Sequence, residues 1–133
     1  MKIGIIGSRE YKNFRKVKDT IFELKKKFGN ELMIVSGGCR DGADKFAKKF
    51  AIELGCSYIE FNPAHTPKNL YSALSENYYG KIYQPKNFFH RNKMIAKYCD
   101  YIIAFVPKGA KSNGTEHTIK EAKKIKKSVV IIS

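Results

Sequence analysis

Ile34-Val35-Ser36-Gly37-Gly38-Cys39-Arg40-Asp41-Gly42-Ala43-Asp44 runs from an apolar strand through a glycine-rich turn into an amphipathic helix. Adjacent glycines after a strand allow positive φ and let a ligand approach main chain that a side chain would shield. The helix that follows turns its first N–H groups and the positive end of its dipole toward an anion. The stretch reads as a phosphate cradle, with a tight strand-to-helix turn that holds no ligand as the alternative.

Working outward, residues 2–6 form a short apolar strand that enters the turn Gly7-Ser8-Arg9. Phe14, Val17, Ile21, Leu24 and Phe28 then recur at helical spacing up to a Gly29-Asn30 stop, and residues 32–35 form the second strand. The helix after the glycine turn buries Ala43, Phe46, Ala47, Phe50, Ala51 and Leu54 and carries Asp44 in its first turn, where a carboxylate suits the dipole. A third strand spans 57–61. Farther on, a helix over 88–98 holds Arg91 and Asn92 in its first turns, and a fourth strand covers 100–106. A helix over 115–127 turns Ile119, Ala122 and Ile125 inward, and Ser128–Ile132 is the last strand. This alternation specifies an α/β fold: a Rossmann-like three-layer sandwich with a five-stranded parallel sheet and right-handed crossovers. Residues 62–87 break the pattern, with Thr66-Pro67 as a helix start. Their tyrosines, with Phe88 and Phe89, either offer stacking faces to a base or pack a flap among themselves.

A length of 133 residues fits one domain spanning 1–133. The chain has no apolar run of about 18 residues and no charged-then-apolar leader, so a cytoplasmic protein without a membrane partner is expected. Cys39, Cys56 and Cys99 lack paired spacing, which argues against disulfides and zinc; Cys39 is either a small filler or a reactive thiol. His65, His90 and His117 show no metal-ligand spacing, so neither metal nor cofactor is expected. The net charge of +14 calls for an anionic partner. Lysine dominates and is spread over the helices, whereas Arg9, Arg15, Arg40 and Arg91 are the only arginines, the residue suited to a bidentate grip on phosphate.

Ligands of open parallel sheets bind outside the carboxyl ends of the strands, where the strand order reverses. The turns at that edge supply the candidate ligand-binding residues Gly7, Ser8, Arg9, Ser36, Gly37, Gly38, Arg40 and Asp44. Arg91, Asn92, Ser112, Gly114, Thr115 and Glu116 complete the set. Gly4-x-x-Gly7-Ser8-Arg9 is not the dinucleotide fingerprint and no Walker lysine motif occurs, which excludes an ordinary nicotinamide dehydrogenase or P-loop ATPase. Glu116 and Arg91 are the catalytic candidates, although Asp44 and Glu116 are equally explained as dipole support at helix starts.

Together Gly7-Ser8-Arg9, Ser36-Gly37-Gly38 with Gly42-Ala43-Asp44, Arg91-Asn92 and Gly114-Thr115 resemble the SLOG superfamily. This Rossmann-like group includes the Lonely Guy phosphoribohydrolases, nucleotide-sensing domains of bacterial defence systems and DNA-processing protein A. The resemblance is nearest to the small YspA-related branch. It implies a nucleotide-derived ligand over the glycine turns, contacted by Gly7, Ser8, Gly37, Gly38, Gly114 and Thr115, with Arg91 reaching it from its helix. The phosphoribohydrolases place a glutamate three positions after the Gly-Thr threonine, where this chain has Thr118; the nearby Glu116 is displaced by two positions. That displacement turns the carboxylate by about 200° on a helix. The expectation is therefore a homo-oligomeric protein that senses or sequesters a nucleotide-derived ligand, of the ADP-ribose or cyclic-nucleotide kind, without turnover. The alternatives are a nucleotide N-glycosidic hydrolase using Glu116 and a single-stranded nucleic-acid binder.

Overall fold

The computed structural model of the chain describes residues 1–39, 41–61, 85–110 and 112–133, with 85–88 as backbone. The apolar runs form β1 (Lys2–Gly7), β2 (Met33–Ser36), β3 (Ser57–Glu60), β4 (Tyr101–Phe105) and β5 (Ser128–Ile132). Between them lie the helices α1 (Phe14–Phe28), α2 (Ala43–Glu53), α3 (Pro85–Tyr98) and α4 (Asn113–Lys124).

The strands pair in the order β3-β2-β1-β4-β5, and every pairing is parallel. The chain builds outward from β1 to β3, then returns to the other side of β1 for β4 and β5. The order thus reverses between β1 and β4, which run side by side from Ile3 opposite Tyr101 to Gly7 opposite Phe105. A parallel sheet must be covered on both faces, and alternate residues serve the two layers. Ile3, Ile5 and Ile34 pack against Val17 and Ile21 of α1 and Ala47 and Phe50 of α2. Ile6, Val35 and Ile102 pack on the opposite face against Ile95 and Ala96 of α3 and Ala122 of α4.

The boundaries differ from the sequence reading where local chemistry outweighs periodicity. Helix α3 begins at Pro85 rather than at 88, because proline suits a first helical turn. Helix α4 spans Asn113–Lys124, so Ile125, expected to face inward, is its C-cap and is 42% exposed. Phe14 opens α1 but is 52% exposed, lying sideways against Phe46 and Phe50 instead of entering the core. Arg40, the helix start at Thr66-Pro67, and Tyr71, Tyr78, Tyr79 and Tyr83 lie outside the described residues, as does the Phe88 side chain.

Gly42 seats the turn after β1 on the start of α2. Its φ is +71°, and a Cβ there would run into the Ser8 carbonyl and lie 2.6 Å from the Arg9 backbone. Ala43 N donates to Ser8 O at 3.2 Å across this contact. Gly42→Ala is expected to lose about 2–3 kcal/mol in urea unfolding. Gly114→Ala, with no atom within 4 Å of the added carbon, should instead gain up to about 1 kcal/mol. Equal midpoints for the two variants would contradict this account.

Candidate functional site

Ser8 is the knot of the sheet's carboxyl edge. Its N–H donates to Phe105 O at 3.0 Å, tying the end of β1 to the end of β4. Its carbonyl accepts from Ala43 N and Tyr11 N, and its Oγ accepts from Glu10 N at 3.0 Å. Arg9 beside it is exposed. The backbone of this turn is therefore held from three sides while the next side chain faces solvent.

The turn after β2 is occupied from within the protein. Arg91 Nη1 donates to Gly37 O at 2.5 Å and to Phe61 O at 3.2 Å, and its Nε donates to Asn92 Oδ1 at 2.8 Å. A Cβ on Gly37 would collide with that guanidinium, so glycine here makes room for Arg91. Asp44 closes the other side: its Oδ2 accepts from Cys39 N at 3.2 Å, and its carboxyl lies in the field of Arg91. The Ser36 hydroxyl accepts from Gly38 N at 3.4 Å, and Tyr58 Oη donates to Glu60 Oε1 at 2.8 Å. Burial pushes the Asp44 carboxyl up to about 6, against the pull of Arg91 and the Cys39 N–H. Burial and the neighbouring Glu60 charge push the Tyr58 hydroxyl up as well.

The turn before α4 has the opposite character. Ser112 is the N-cap, a residue well suited to capping, yet its side chain makes no cap hydrogen bond and instead donates to Thr115 Oγ1 at 2.8 Å. Gly114 opens on space: a Cβ added there would meet no atom within 4 Å. Asn92 Nδ2 donates to Gly114 O at 3.2 Å and so fixes α3 against this turn. Helix α2 likewise starts without a side-chain cap, at Gly42, whereas α1 is capped by Asn13 Oδ1, which accepts from Lys16 N at 3.2 Å.

The edge thus gathers Gly7, Ser8, Arg9, Asp44, Arg91, Asn92, Gly114 and Thr115, with Ser36, Gly37 and Gly38 behind the Arg91 guanidinium. Glu116 is exposed in the first turn of α4, while Thr118 is buried and its hydroxyl donates to Gly114 O at 3.1 Å. Three polar side chains near the edge are not among the residues the sequence proposed for the site: Tyr58, Glu60 and His117. Tyr58 and Glu60 alternate on β3 and so share one face, a period-two signal present in the chain. His117 is held between α3 and α4, its Nε2 at 3.6 Å from Glu121 Oε1 and its ring 4.5 Å from that of Phe89. Burial lowers the His117 pKa. Among the described residues no cluster of His, Cys, Asp and Glu could hold a metal, and no helix is long and apolar enough to cross a membrane.

Residues 1–133 match the family model described as DNA recombination-mediator protein A. The match falls on the DNA-processing branch, which the sequence resemblance placed farther away than the YspA-related one. DNA processing protein A from Helicobacter pylori, solved for its single-stranded DNA binding mode, shares the fold at a TM-score of 0.71 and 21% identity. The alignment covers 100% of this chain and 65% of that one, so the chain spans under two thirds of its length. The molybdenum cofactor binding protein of Rippkaea orientalis aligns at TM-score 0.69 and 17% identity, over 98% of this chain and 74% of its own. The molybdenum cofactor carrier protein of Chlamydomonas reinhardtii aligns at 0.63 and 20%, with the same coverage of 98% and 74%. A search of curated proteins found no match. At these identities the structural likeness speaks to the fold.

Asp44 gives the edge a pH signature. Its folded pKa, raised to about 6, means that the folded chain binds a proton more readily than the unfolded chain. Its contribution to stability is therefore present at acidic pH and is lost as pH rises from about 4 through about 6. Urea unfolding of the wild type against Asp44→Asn should show a gap that changes across this window. A gap independent of pH would show that Asp44 takes up its proton equally in the folded and unfolded chain, contrary to the raised value.

Proposed function

Because the chain belongs to the DNA recombination-mediator protein A family, we propose that it binds single-stranded DNA and holds backbone phosphate at the carboxyl edge of its sheet without hydrolysing it. The observation that carries this reading is the uncapped start of α4, open at Gly114 and braced by Asn92, directly beside the reversal of strand order. A phosphate there would take the place of the missing cap, accepting from the first N–H groups of the helix and meeting its dipole. Ser8 and Arg9 flank the position from β1. The net charge of +14 supports a polyanion as the partner, and residue 118 supports binding without turnover. The position that carries a glutamate in the phosphoribohydrolases holds a threonine committed to Gly114 O.

A free nucleotide-derived ligand is the second reading, favoured by the turn after β4 offering one open helix start while the turn after β2 is filled by Arg91. Salt separates the two: affinity for a strand gripped through several phosphates should fall by orders of magnitude between about 50 and 200 mM salt, and a single pocketed phosphate should respond far less.

Gly114→Asp places a carboxylate where the phosphate would sit. It is expected to weaken oligothymidylate binding by about tenfold or more, while helix stability rises by up to about 1 kcal/mol from the favourable dipole interaction. Glu116→Gln removes a competing charge from the same helix start and should tighten binding by about 2- to 5-fold. Fluorescence anisotropy with both variants tests the reading. Unchanged affinity in both would overturn it, and nucleotide hydrolysis abolished by Glu116→Gln would replace it with the N-glycosidase.

A further inference from the structure

The outer surface of the α1 and α2 layer carries a pattern that the edge site does not use. On α1, Phe14, Lys18, Phe22 and Lys26 follow one another at intervals of four; on α2, Lys45, Lys49 and Ile52 share one face. Phe14, Phe22 and Ile52 are 52%, 49% and 62% exposed, although burial would favour each of them. The lysines stand over the rings: Lys26 Nζ is 5.7 Å from the Phe22 centroid, and Lys18 and Lys49 are 5.6 Å and 5.4 Å from that of Phe50. Both helices begin at the carboxyl edge of the sheet, the same edge from which α4 starts on the opposite face.

We propose that this layer is a second, lengthwise part of the DNA-binding surface. A strand leaving the edge runs down α1 and α2, its bases stacking on Phe14 and Phe22 and its phosphates meeting Lys26, Lys45 and Lys49. Charge complementarity names the occupant. Basic and aromatic groups that alternate along a groove match the alternation of phosphate and base in a single strand. A membrane surface would require a continuous apolar face. Here every exposed apolar residue is separated from the next by charge, including the acids Asp19, Glu23 and Glu53. The inference rests on the reading above in taking DNA as the ligand.

Oligothymidylates of about 6 and about 20 nucleotides distinguish the two surfaces, since the shorter fills the edge and only the longer also covers the helices. The double variant Lys26→Glu, Lys49→Glu alters exposed positions far from the edge. It should cut affinity for the long strand by about tenfold or more and leave that for the short strand within about twofold. The chain has no tryptophan, so Phe22→Trp supplies a single reporter whose fluorescence the long strand, and not the short one, should quench. Equal affinity for both lengths with no effect of the double variant would overturn the proposal while leaving the edge reading in place. A tryptophan that responds to vesicles of anionic lipid and not to DNA would assign the face to membranes. Long-strand binding that survives Gly114→Asp but not the double variant would sink the edge reading and keep this one.

Discussion

The Arg91 guanidinium and the Asp44 carboxyl attract one another across the end of the sheet and so couple its two helical layers. Arg91 belongs to α3 on one face, Asp44 to α2 on the other, and between them the guanidinium gathers the carbonyls that follow β2 and β3. Each half of this arrangement depends on the other. Asp44 without Arg91 would be a buried acid with the Cys39 N–H as its hydrogen-bond donor and no cation to offset its charge, and Gly37 without Arg91 would leave a carbonyl at a sheet end short of a donor. Burial of such charges offers little net stability, because desolvation offsets attraction. What it confers here is position: the turn after β2 has one conformation, and the helices on both faces take their places relative to it.

That constraint explains the asymmetry of the edge. Two strand-to-helix turns flank the turn after β1, one at the end of β2 and one at the end of β4, and the protein fills the first with its own cation. The other, at Ser112 to Thr115, is left with an uncapped helix start, and Asn92, next to Arg91 in the chain, reaches across to brace it. Arg91 and Asn92 therefore act as a pair: the first completes the closed turn, and the second fixes the open one. Ser8 supplies the third anchor by holding β1, β4 and α2 together.

The fold was legible in the sequence because its signals are local. Apolar runs such as Ile34-Val35 and Ile102-Ile103, separated by helical periodicity, leave little choice but a covered parallel sheet. The element ends were less so, since Pro85 and the cap at Ile125 obey terminal chemistry rather than periodicity. The residues of the edge were legible as a set, because glycine, serine and arginine at strand ends mark it. Their division of labour was not. Arg91 reads from the chain as an arm for phosphate, and its engagement with Gly37 depends on a contact 54 residues away that no local pattern encodes. Thr118, by contrast, was visible as a departure from the Gly-Thr motif, and its bond to Gly114 O shows the hydroxyl serving the helix start.

The use of the two cations follows from the same geometry. An arginine suits a place where several acceptors converge on its planar fork, and Arg91 meets two carbonyls, an amide oxygen and the field of a carboxylate. Lysine, a point charge on a flexible stem, suits a ligand whose phosphates are not fixed in advance, and lysine is what the exposed faces of α1 and α2 carry. A small rigid ligand would need neither the length of those helices nor a charge of +14. A flexible polyanion would use both: one phosphate set at a braced helix start, and the rest drawn along a surface that holds charge without dictating geometry.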